Sequence, residues 1–161
     1  MTSRRSLQVT TPSDREIVVV RDFEAPRRQV FDAFTKPDLV KRWLYGPEDW
    51  QMAVCEIDFR VGGAFRYVWR HTGGSEMGLS GVYREIVPPE RIVHAELFDE
   101  DWTGGETVVT TIFAEQEGRT TVTINILYSS RDARDGALGT PMAEGMEMGY
   151  ARLDRLLPTL G

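Results

Sequence analysis

The chain has 161 residues, of which 41% are hydrophobic and 27% are charged, proportions typical of a globular protein. Its length corresponds to one domain with room for a sizeable core. The formal net charge of −6 argues against a nucleic-acid-binding protein, which normally presents a basic surface, and gives no support to binding at anionic membranes. We therefore expect neither nucleic acid nor a membrane as partner.

Cysteine content and the N-terminus bear on cellular location. Cys55 is the single cysteine, so no intramolecular disulfide forms, which fits a reducing compartment, and we interpret it as a buried thiol in a strand. No apolar run approaches the ~20 residues of a membrane span. Residues Met1–Ser13 contain Arg4 and Arg5 without a following apolar stretch, unlike a secretory signal. We interpret residues 1–13 as a polar tail, residues 14–161 as a single domain and the protein as cytoplasmic.

The first elements predicted along the chain are one strand and two short helices. The β-branched run within Glu16–Phe23 is typical of a strand, and Pro26 opens a short helix after it. Pro37 separates that helix from a second one at Leu39–Trp43. Apolar residues mark the buried faces of both helices, namely Val30, Phe31, Phe34, Val40, Trp43 and Leu44.

Six further strands follow, separated by glycine or proline turns. The strand at Ala64–Arg70 carries Phe65, Tyr67 and Trp69 on one face, as its alternation requires. Consecutive hairpins indicate an antiparallel sheet and an α+β fold. A polar connection, Ser129–Gly139, comes after the last strand. The other five predicted strands are Met52–Phe59, Met77–Val87, Arg91–Phe98, Glu106–Glu115 and Thr120–Tyr128.

One long amphipathic helix is predicted from about Thr140 to Leu157, with Thr140 as its cap and Pro141 at its first position. Its apolar residues recur at helical spacing, as in Met142, Met146, Tyr150 and Leu153. Gly145 and Gly149 each cost about 1 kcal/mol of helix stability relative to alanine. Two such glycines in an apolar helix suggest space left for a ligand, and we expect them at a cavity floor lined by Met146, Tyr150 and Leu153.

Motifs along almost the whole chain, about residues 16 to 157, support a family resemblance. They are Ala25-Pro26-x-x-x-Val30-Phe31-x-Ala33-Phe34-Thr35-x-Pro37, Trp43, Asp58-x-Arg60-x-Gly62-Gly63, Gly81-Val82-Tyr83-Arg84-Glu85-Ile86, Pro88-Pro89-Glu90-Arg91-Ile92-Val93 and Met142-x-x-Gly145-Met146-x-x-Gly149-Tyr150-x-x-Leu153-Asp154-x-Leu156. No single motif is specific, but their ordered combination resembles the activator-of-Hsp90-ATPase-homologue family of the START-like (SRPBCC, helix-grip) superfamily.

The resemblance implies a helix-grip fold of the START/Bet v 1 type. This is a curved antiparallel sheet of about seven strands around a long C-terminal helix, with two short helices after the first strand. Its cavity would bind lipids, sterols, polyketides or other apolar small molecules. The eukaryotic namesake stimulates the Hsp90 ATPase but has an additional N-terminal domain that this chain lacks, so we do not carry over Hsp90 association. Fold alone gives a site rather than a function.

His94 and Glu96 are the main candidate polar site residues. On the strand Arg91–Phe98 they share one face with Ile92 and Phe98, but both faces carry apolar residues, so alternation leaves the inward face open. If Phe98 points inward, His94 and Glu96 line the cavity and orient a ligand or act as acid and base. The predicted ligand-binding residues are Trp43, Phe65, Tyr67, Trp69, His94, Glu96, Phe98, Met146, Gly149, Tyr150 and Leu153.

Three functions remain open on the sequence. The first is non-catalytic binding of a small hydrophobic molecule, and the second is a cyclase or hydratase type of enzyme with His94, Glu96 and Tyr83 as catalytic candidates. The third is a protein-interaction module using the acidic loop Asp99–Asp101 with Trp102. One cysteine and two separated histidines argue against a metal site, and no nucleotide-binding motif occurs, so we expect no cofactor. We expect a monomer or weak homodimer.

Overall fold

A computed structural model describes residues 6–101 and 103–160 of the chain. Its eight strands form one antiparallel sheet, and four α-helices and a short 3-10 helix accompany them. In chain order the elements are β1 (Gln8–Thr10), β2 (Glu16–Phe23), α1 (Arg27–Thr35), α2 (Pro37–Val40), β3 (Trp50–Ile57), β4 (Ala64–His71), β5 (Glu76–Val87), β6 (Arg91–Phe98), β7 (Thr107–Gln116), β8 (Arg119–Leu127), α3 (Arg131–Leu138), α4 (Met142–Leu156) and the 3-10 helix Leu157–Thr159.

The sheet is a meander whose last strand returns to the first long one. The strand order is β1-β2-β8-β7-β6-β5-β4-β3, so β1 and β3 are the two edges. Strand β2 pairs over its full length with β8, from Glu16 opposite Leu127 to Phe23 opposite Thr120. This pairing brings the start and the end of the fold together and places α4, which follows β8, near the helices that follow β2.

An irregularity in β5 changes the alternation of its side chains. The register shifts between Tyr83 and Glu85 opposite β6, as in a β-bulge. Leu79 and Tyr83 are buried, whereas Arg84 and Glu85 are both exposed. A bulge bends its strand and increases the local twist. A second shift lies between Met52 and Val54 of β3, so both irregularities bend the half of the sheet that is distant from β2.

Aromatic side chains join the helices to the sheet. The Tyr150 ring of α4 lies 5.5 Å from that of Phe23 on β2 and 5.6 Å from that of Trp43, which follows α2. Phe34 of α1 packs at 5.3 Å from Phe113 of β7 and 4.9 Å from Trp43. These edge and tilted contacts are favourable aromatic geometries, and they fix α4 over the concave side of the sheet together with α1 and α2.

A buried ion cluster, missed from the sequence, also holds α4. Arg21 faces the core side of β2 with Ile17, Val19 and Phe23, and is only 2% exposed. Its guanidinium donates hydrogen bonds at 2.8–2.9 Å to the carboxylates of Glu147 and Asp154, which lie two turns apart on α4. Burial lowers the pKa of Arg21, but these hydrogen bonds outweigh it and raise the pKa overall.

The structure differs from the sequence-based element predictions in three places. Strand β1 lies inside the predicted polar tail and pairs with Val18–Val20, so the described residues form eight strands rather than the predicted seven. Helix α3 occupies most of the predicted polar connection, with Ser130 accepting a capping hydrogen bond from the Ala133 backbone N–H. Thr140 does not cap α4, because its hydroxyl donates to the carbonyl of Ala137 at 2.7 Å. The other predicted elements are present with ends shifted by a few residues.

None of the helices in the described ranges is long and apolar enough to cross a membrane.

Candidate ligand-binding cavity

A cavity of about 310 Å³ lies between the concave side of the sheet and the helices. This volume is at the lower end of the range for small-molecule pockets. The sheet supplies most of the wall, through inward-facing residues of β4 to β8, and the segment after α2 and helices α1, α3 and α4 close the other side. The lining residues are Phe34, Trp43, Leu44, Phe65, Tyr67, Trp69, Leu79, Tyr83, Ile92, His94, Glu96, Phe98, Thr107, Val109, Thr111, Ile124, Ile126, Tyr128, Ala137, Thr140, Met142, Met146 and Tyr150.

An aromatic cluster on β4 and β5 forms one wall. The ring of Phe65 lies 4.9 Å from that of Tyr67 and 5.4 Å from that of Tyr83. Phe65 has room because Gly81, its partner across the strands, has no side chain, and a Cβ there would overlap the Phe65 ring. The glycine therefore lets an aromatic ring lie flat over the neighbouring strand, a close approach that larger residues prevent.

Two tryptophans line the cavity with their rings, and the indole N–H of each donates a hydrogen bond. Trp43 donates its indole N–H to the carbonyl of Ala33 at 2.9 Å, and Trp69 donates to the carbonyl of Leu44 at 2.8 Å. A buried indole N–H normally finds such a partner. Since both partners are backbone atoms, the rings are held in fixed positions.

His94 and Glu96 form a polar pair inside this aromatic chamber. The face of β6 left open by alternation is settled, because Ile92, His94, Glu96 and Phe98 all line the cavity. The Nε2 atom of His94 lies 2.7 Å from Oε1 of Glu96, and the two side chains are only 17% and 18% exposed. The Phe65 ring packs edge-on against the imidazole at 5.1 Å. The hydrogen bond therefore fixes the two side chains relative to each other, and the aromatic wall supports the imidazole.

Four tyrosines bring phenol rings to the cavity, and burial raises the pKa of each. For Tyr128 the pKa rises to about 12, with the charge of Glu96 as a further cause. For Tyr67 the pKa rises well above its usual value, mainly through burial and to a smaller extent through Tyr83, Cys55 and Glu96. Burial likewise raises the pKa values of Tyr83 and Tyr150. All four hydroxyls are therefore neutral at physiological pH.

Only some of the residues predicted to form the cavity floor on α4 line the cavity. Met146 and Tyr150 line it, together with Met142. Gly149 and Leu153 do not line it. A Cβ at Gly149 would lie 3.0 Å from the Trp43 carbonyl oxygen, so this glycine lets α4 approach the segment after α2. Leu153 is fully buried in the core.

Gly145, the other expected marker of the floor, is also absent from the lining, and an added Cβ would have open space around it. The cavity is instead made by the curved sheet, and its helix side is made by methionine and tyrosine side chains. The inward-facing residues of β7 and β8 were missed, although strict alternation within Thr107–Gln116 and Arg119–Leu127 carries that signal.

The other histidine, the cysteine and the described part of the acidic loop are not among the residues that line the cavity. His71 ends β4, accepts a hydrogen bond from the Gly73 N–H and packs against Trp50. Cys55 is half-buried on β3, with a pKa raised to about 11 by burial. Asp99 of the acidic loop is paired with Arg66. Trp102 lies outside the described residues. Within the described ranges no group of three or more His, Cys, Asp or Glu side chains could hold a metal ion.

Solved structures similar to this one confirm the fold. A crystal structure of a protein from Rhodobacter sphaeroides has a TM-score of 0.90 and 35% sequence identity, covering 96% of this chain and 99% of that chain. A solution structure from Arthrobacter aurescens has a TM-score of 0.83 at 24% identity, covering 98% of this chain and 93% of that chain. A crystal structure from Nitrosomonas europaea has a TM-score of 0.81 at 19% identity, covering 92% and 97%. The last two show the fold alone.

Sequence comparison identifies the family. No curated protein matches the sequence significantly. The model of the family described as "Activator of Hsp90 ATPase homolog 1-like protein" matches residues 24–158, which cover both short helices, the sheet from β3 to β8 and α4. The resemblance seen in the sequence motifs and the expected helix-grip fold are therefore both confirmed. The chain is a member of the activator of Hsp90 ATPase homolog 1-like family, within the START-like superfamily.

Proposed function

We propose that the protein binds a small, largely apolar molecule in the cavity between α4 and the sheet. The observation that carries this proposal is the lining itself. Aromatic and aliphatic side chains supply most of it, and its few polar groups are concentrated at His94, Glu96 and the tyrosine and threonine hydroxyls. A mostly apolar cavity with a few placed polar groups is the usual form of a small-molecule site. The family's fold is commonly used for ligand binding, which agrees with this interpretation.

The helix side of the cavity suits a ligand of variable shape. Met142 and Met146 are partly buried and line the cavity, and the unbranched, polarizable thioether adapts to irregular surfaces. The sheet side is rigid, because its side chains pack in an aromatic cluster. We propose that the ligand lies against the rigid sheet and that the two methionines adjust over it.

A fluorescent apolar probe tests this proposal. N-phenyl-1-naphthylamine is neutral and apolar, and its emission rises when it leaves water. We expect saturable binding to the full chain and at least tenfold weaker binding to the Met146→Trp variant, because the larger ring fills about the space of the probe. Met148→Trp is the matched control, since Met148 belongs to the same helix but is 46% exposed. Its affinity should equal that of the unchanged protein.

The result that overturns the proposal is equal probe affinity in both tryptophan variants, with circular dichroism confirming that both are folded. Absence of saturable binding to the unchanged protein would also overturn it for ligands of this size. Native mass spectrometry of the protein from its own host complements the probe, because a bound molecule would appear as a discrete added mass that Met146→Trp removes.

Acid–base catalysis is a second candidate function, favoured by the 2.7 Å contact between His94 and Glu96 in a largely apolar chamber. A carboxylate that holds an imidazole in one orientation is a common arrangement for a general base. Deuterium exchange tests it even when the substrate is unidentified. A co-purified molecule incubated in D2O with catalytic amounts of protein should gain deuterium, and His94→Gln should slow that gain at least ~100-fold. Equal exchange rates would remove His94 from this role.

A further inference from the structure

In the cavity lining, Glu96 offers a hydrogen-bond acceptor that lacks a donor from the part of the chain that the structure describes. Glu96 receives one hydrogen-bond contact from the described residues, the one between its Oε1 and His94 Nε2. Its second oxygen receives none from them. Glu96 lines the cavity with its side chain 18% exposed, so this oxygen is open to whatever occupies the cavity. Since a partly buried carboxylate gains from each further donor, this oxygen favours a donor from the occupant of the cavity.

The surroundings of Glu96 strengthen this preference. The lining contributed by the described residues includes no lysine or arginine. On the neighbouring strands, Gly81 and Thr107 lie directly opposite Glu96, and neither carries a charge. A ligand carboxylate in this part of the cavity would therefore meet a like charge and no lysine or arginine of the described lining to offset it.

Tyrosine hydroxyls add further polar groups to the cavity lining, beside those of the threonines. Tyr67 and Tyr128 line the same cavity as Glu96, and the negative charge of Glu96 adds to the effect of burial in raising the pKa of both phenols. Both remain protonated, and a neutral hydroxyl oxygen accepts hydrogen bonds as well as donating one. A ligand with several N–H or O–H donors can therefore find acceptors at the carboxylate and at the phenol oxygens.

Aromatic rings complete the site around this end. Phe65, Tyr83 and Phe98 line the cavity beside the His94–Glu96 pair. Aromatic faces attract cations, and the attraction is larger where water is excluded. An apolar chamber with one carboxylate and several aromatic rings suits a protonated amine better than a carboxylate.

We infer that the ligand of this cavity is an apolar molecule bearing a hydrogen-bond donor, a protonated amine before a hydroxyl, and that Glu96 selects it against carboxylic acids such as fatty acids. This inference rests on the proposed function and adds the chemical class of the ligand. It assigns Glu96 the role of specificity residue, with His94 holding its carboxylate in place.

Three probes with one shared apolar group test the inference. At neutral pH 4-phenylbutylamine is a cation, 4-phenylbutanol is neutral and 4-phenylbutyrate is an anion, so they differ only in the polar end. Their affinities are measured by displacement of N-phenyl-1-naphthylamine from the full chain. We expect the order amine, alcohol, carboxylate, with at least about tenfold between the first and the last, because charge-assisted hydrogen bonds are the strong ones.

A variant without the Glu96 charge tests whether Glu96 causes this order of affinities. Glu96→Gln keeps the shape of the side chain and should bring the three affinities within about threefold of one another, as expected for loss of one charged contact. Glu106→Gln is the matched control, because it removes the same charge from an exposed position where Glu106 pairs with Arg84. It should leave the order unchanged. Unaltered naphthylamine affinity in Glu96→Gln would show that the variant retains its cavity.

The outcomes distinguish failure of this inference from failure of the proposed binding function. If the naphthylamine probe binds and Met146→Trp abolishes its binding, but the carboxylate matches or exceeds the amine, the selection by Glu96 is wrong and the binding function stands. An amine preference that persists in Glu96→Gln equally overturns the role of Glu96. If no probe binds at all, the proposed function itself fails.

Discussion

Arg21 and Glu147 are joined by two parallel hydrogen bonds, each 2.9 Å long, between a guanidinium on β2 and a carboxylate on α4. The same carboxylate accepts a hydrogen bond from the backbone N–H of Leu7, just before β1. One side chain of the helix therefore connects it to two strands at the edge of the sheet. Because α4 also carries Met146 and Tyr150 of the cavity, this contact positions one wall of the candidate site.

Replacing Glu147 with glutamine should destabilise the protein. Arg21 is almost fully buried, and the amide would leave part of its guanidinium without a charged partner, although Asp154 remains. Loss of a charge-assisted hydrogen bond to a buried group costs about 1–3 kcal/mol. Urea denaturation followed by circular dichroism measures the change in the free energy of unfolding.

Glu144→Gln provides the control for this change. Glu144 lies one turn earlier on α4 and is exposed, so its replacement should alter stability by less than about 0.5 kcal/mol. Equal losses for the two variants would show that helix charge in general, and not the contact with Arg21, accounts for the effect.

The two glycines of α4 should respond differently to replacement by alanine. Gly145→Ala should stabilise the protein by about 0.5–1 kcal/mol, since the added methyl meets open space and alanine favours the helix. At Gly149 the methyl would lie 3.0 Å from the Trp43 carbonyl oxygen, so the steric cost should cancel or exceed that gain. Melting temperatures of the two variants compare them directly. A gain of similar size at both positions would contradict the close packing at Gly149.

Much of the sheet and its inward side chains follows from local alternation. The pattern in Arg91–Phe98 predicts that His94 and Glu96 share a face, and the structure places them 2.7 Å apart. Which face is inward depends on pairing with β5 and β7, strands that local alternation does not position relative to one another. Ser130 could have revealed α3, because a serine followed by an acidic residue in the first turn is a typical helix start.

The role of the glycines in α4, in contrast, does not follow from the local sequence pattern. Their cost to the helix is visible in the sequence, but the reason for Gly149 is a contact with Trp43, which lies far away in the chain. Arg21 is similar, since a lone arginine in a strand gives no sign of its partners on α4. Long-range contacts of this kind decide which residues line the cavity, and local periodicity does not contain them.

Gly81→Ala should destabilise the protein and disturb the cavity wall. The added methyl would overlap the Phe65 ring and lie 2.8 Å from the backbone oxygen of Ala95 on β6. Overpacking of this kind typically costs about 1–3 kcal/mol. The Phe65→Leu change removes part of the overlap, so the double variant should lose less stability than the sum of the two single variants. Additive losses, measured by urea denaturation, would contradict direct contact between the two positions.

Cys55 should react slowly with alkylating reagents in the folded protein. Burial raises its pKa from 9.0 to about 11, and the thiolate is the reactive form. At pH 8 the thiolate fraction should therefore be roughly 100-fold lower than in the unfolded chain. Iodoacetamide labelling followed by mass spectrometry gives both rates, with protein in urea as the comparison. Similar rates at pH 8 would contradict the buried environment.

The same pKa shift predicts a loss of stability at high pH. The folded state favours the protonated Cys55 thiol. The resulting contribution to the free energy of unfolding is fully present below about pH 9 and is lost as the pH rises toward 11. Cys55→Ser lacks this titration in the range, so the unchanged protein should lose more stability than the variant between pH 9 and 11. Urea denaturation at a series of pH values measures both slopes, and parallel slopes would assign the alkaline loss to other groups such as Tyr128, whose pKa is about 12.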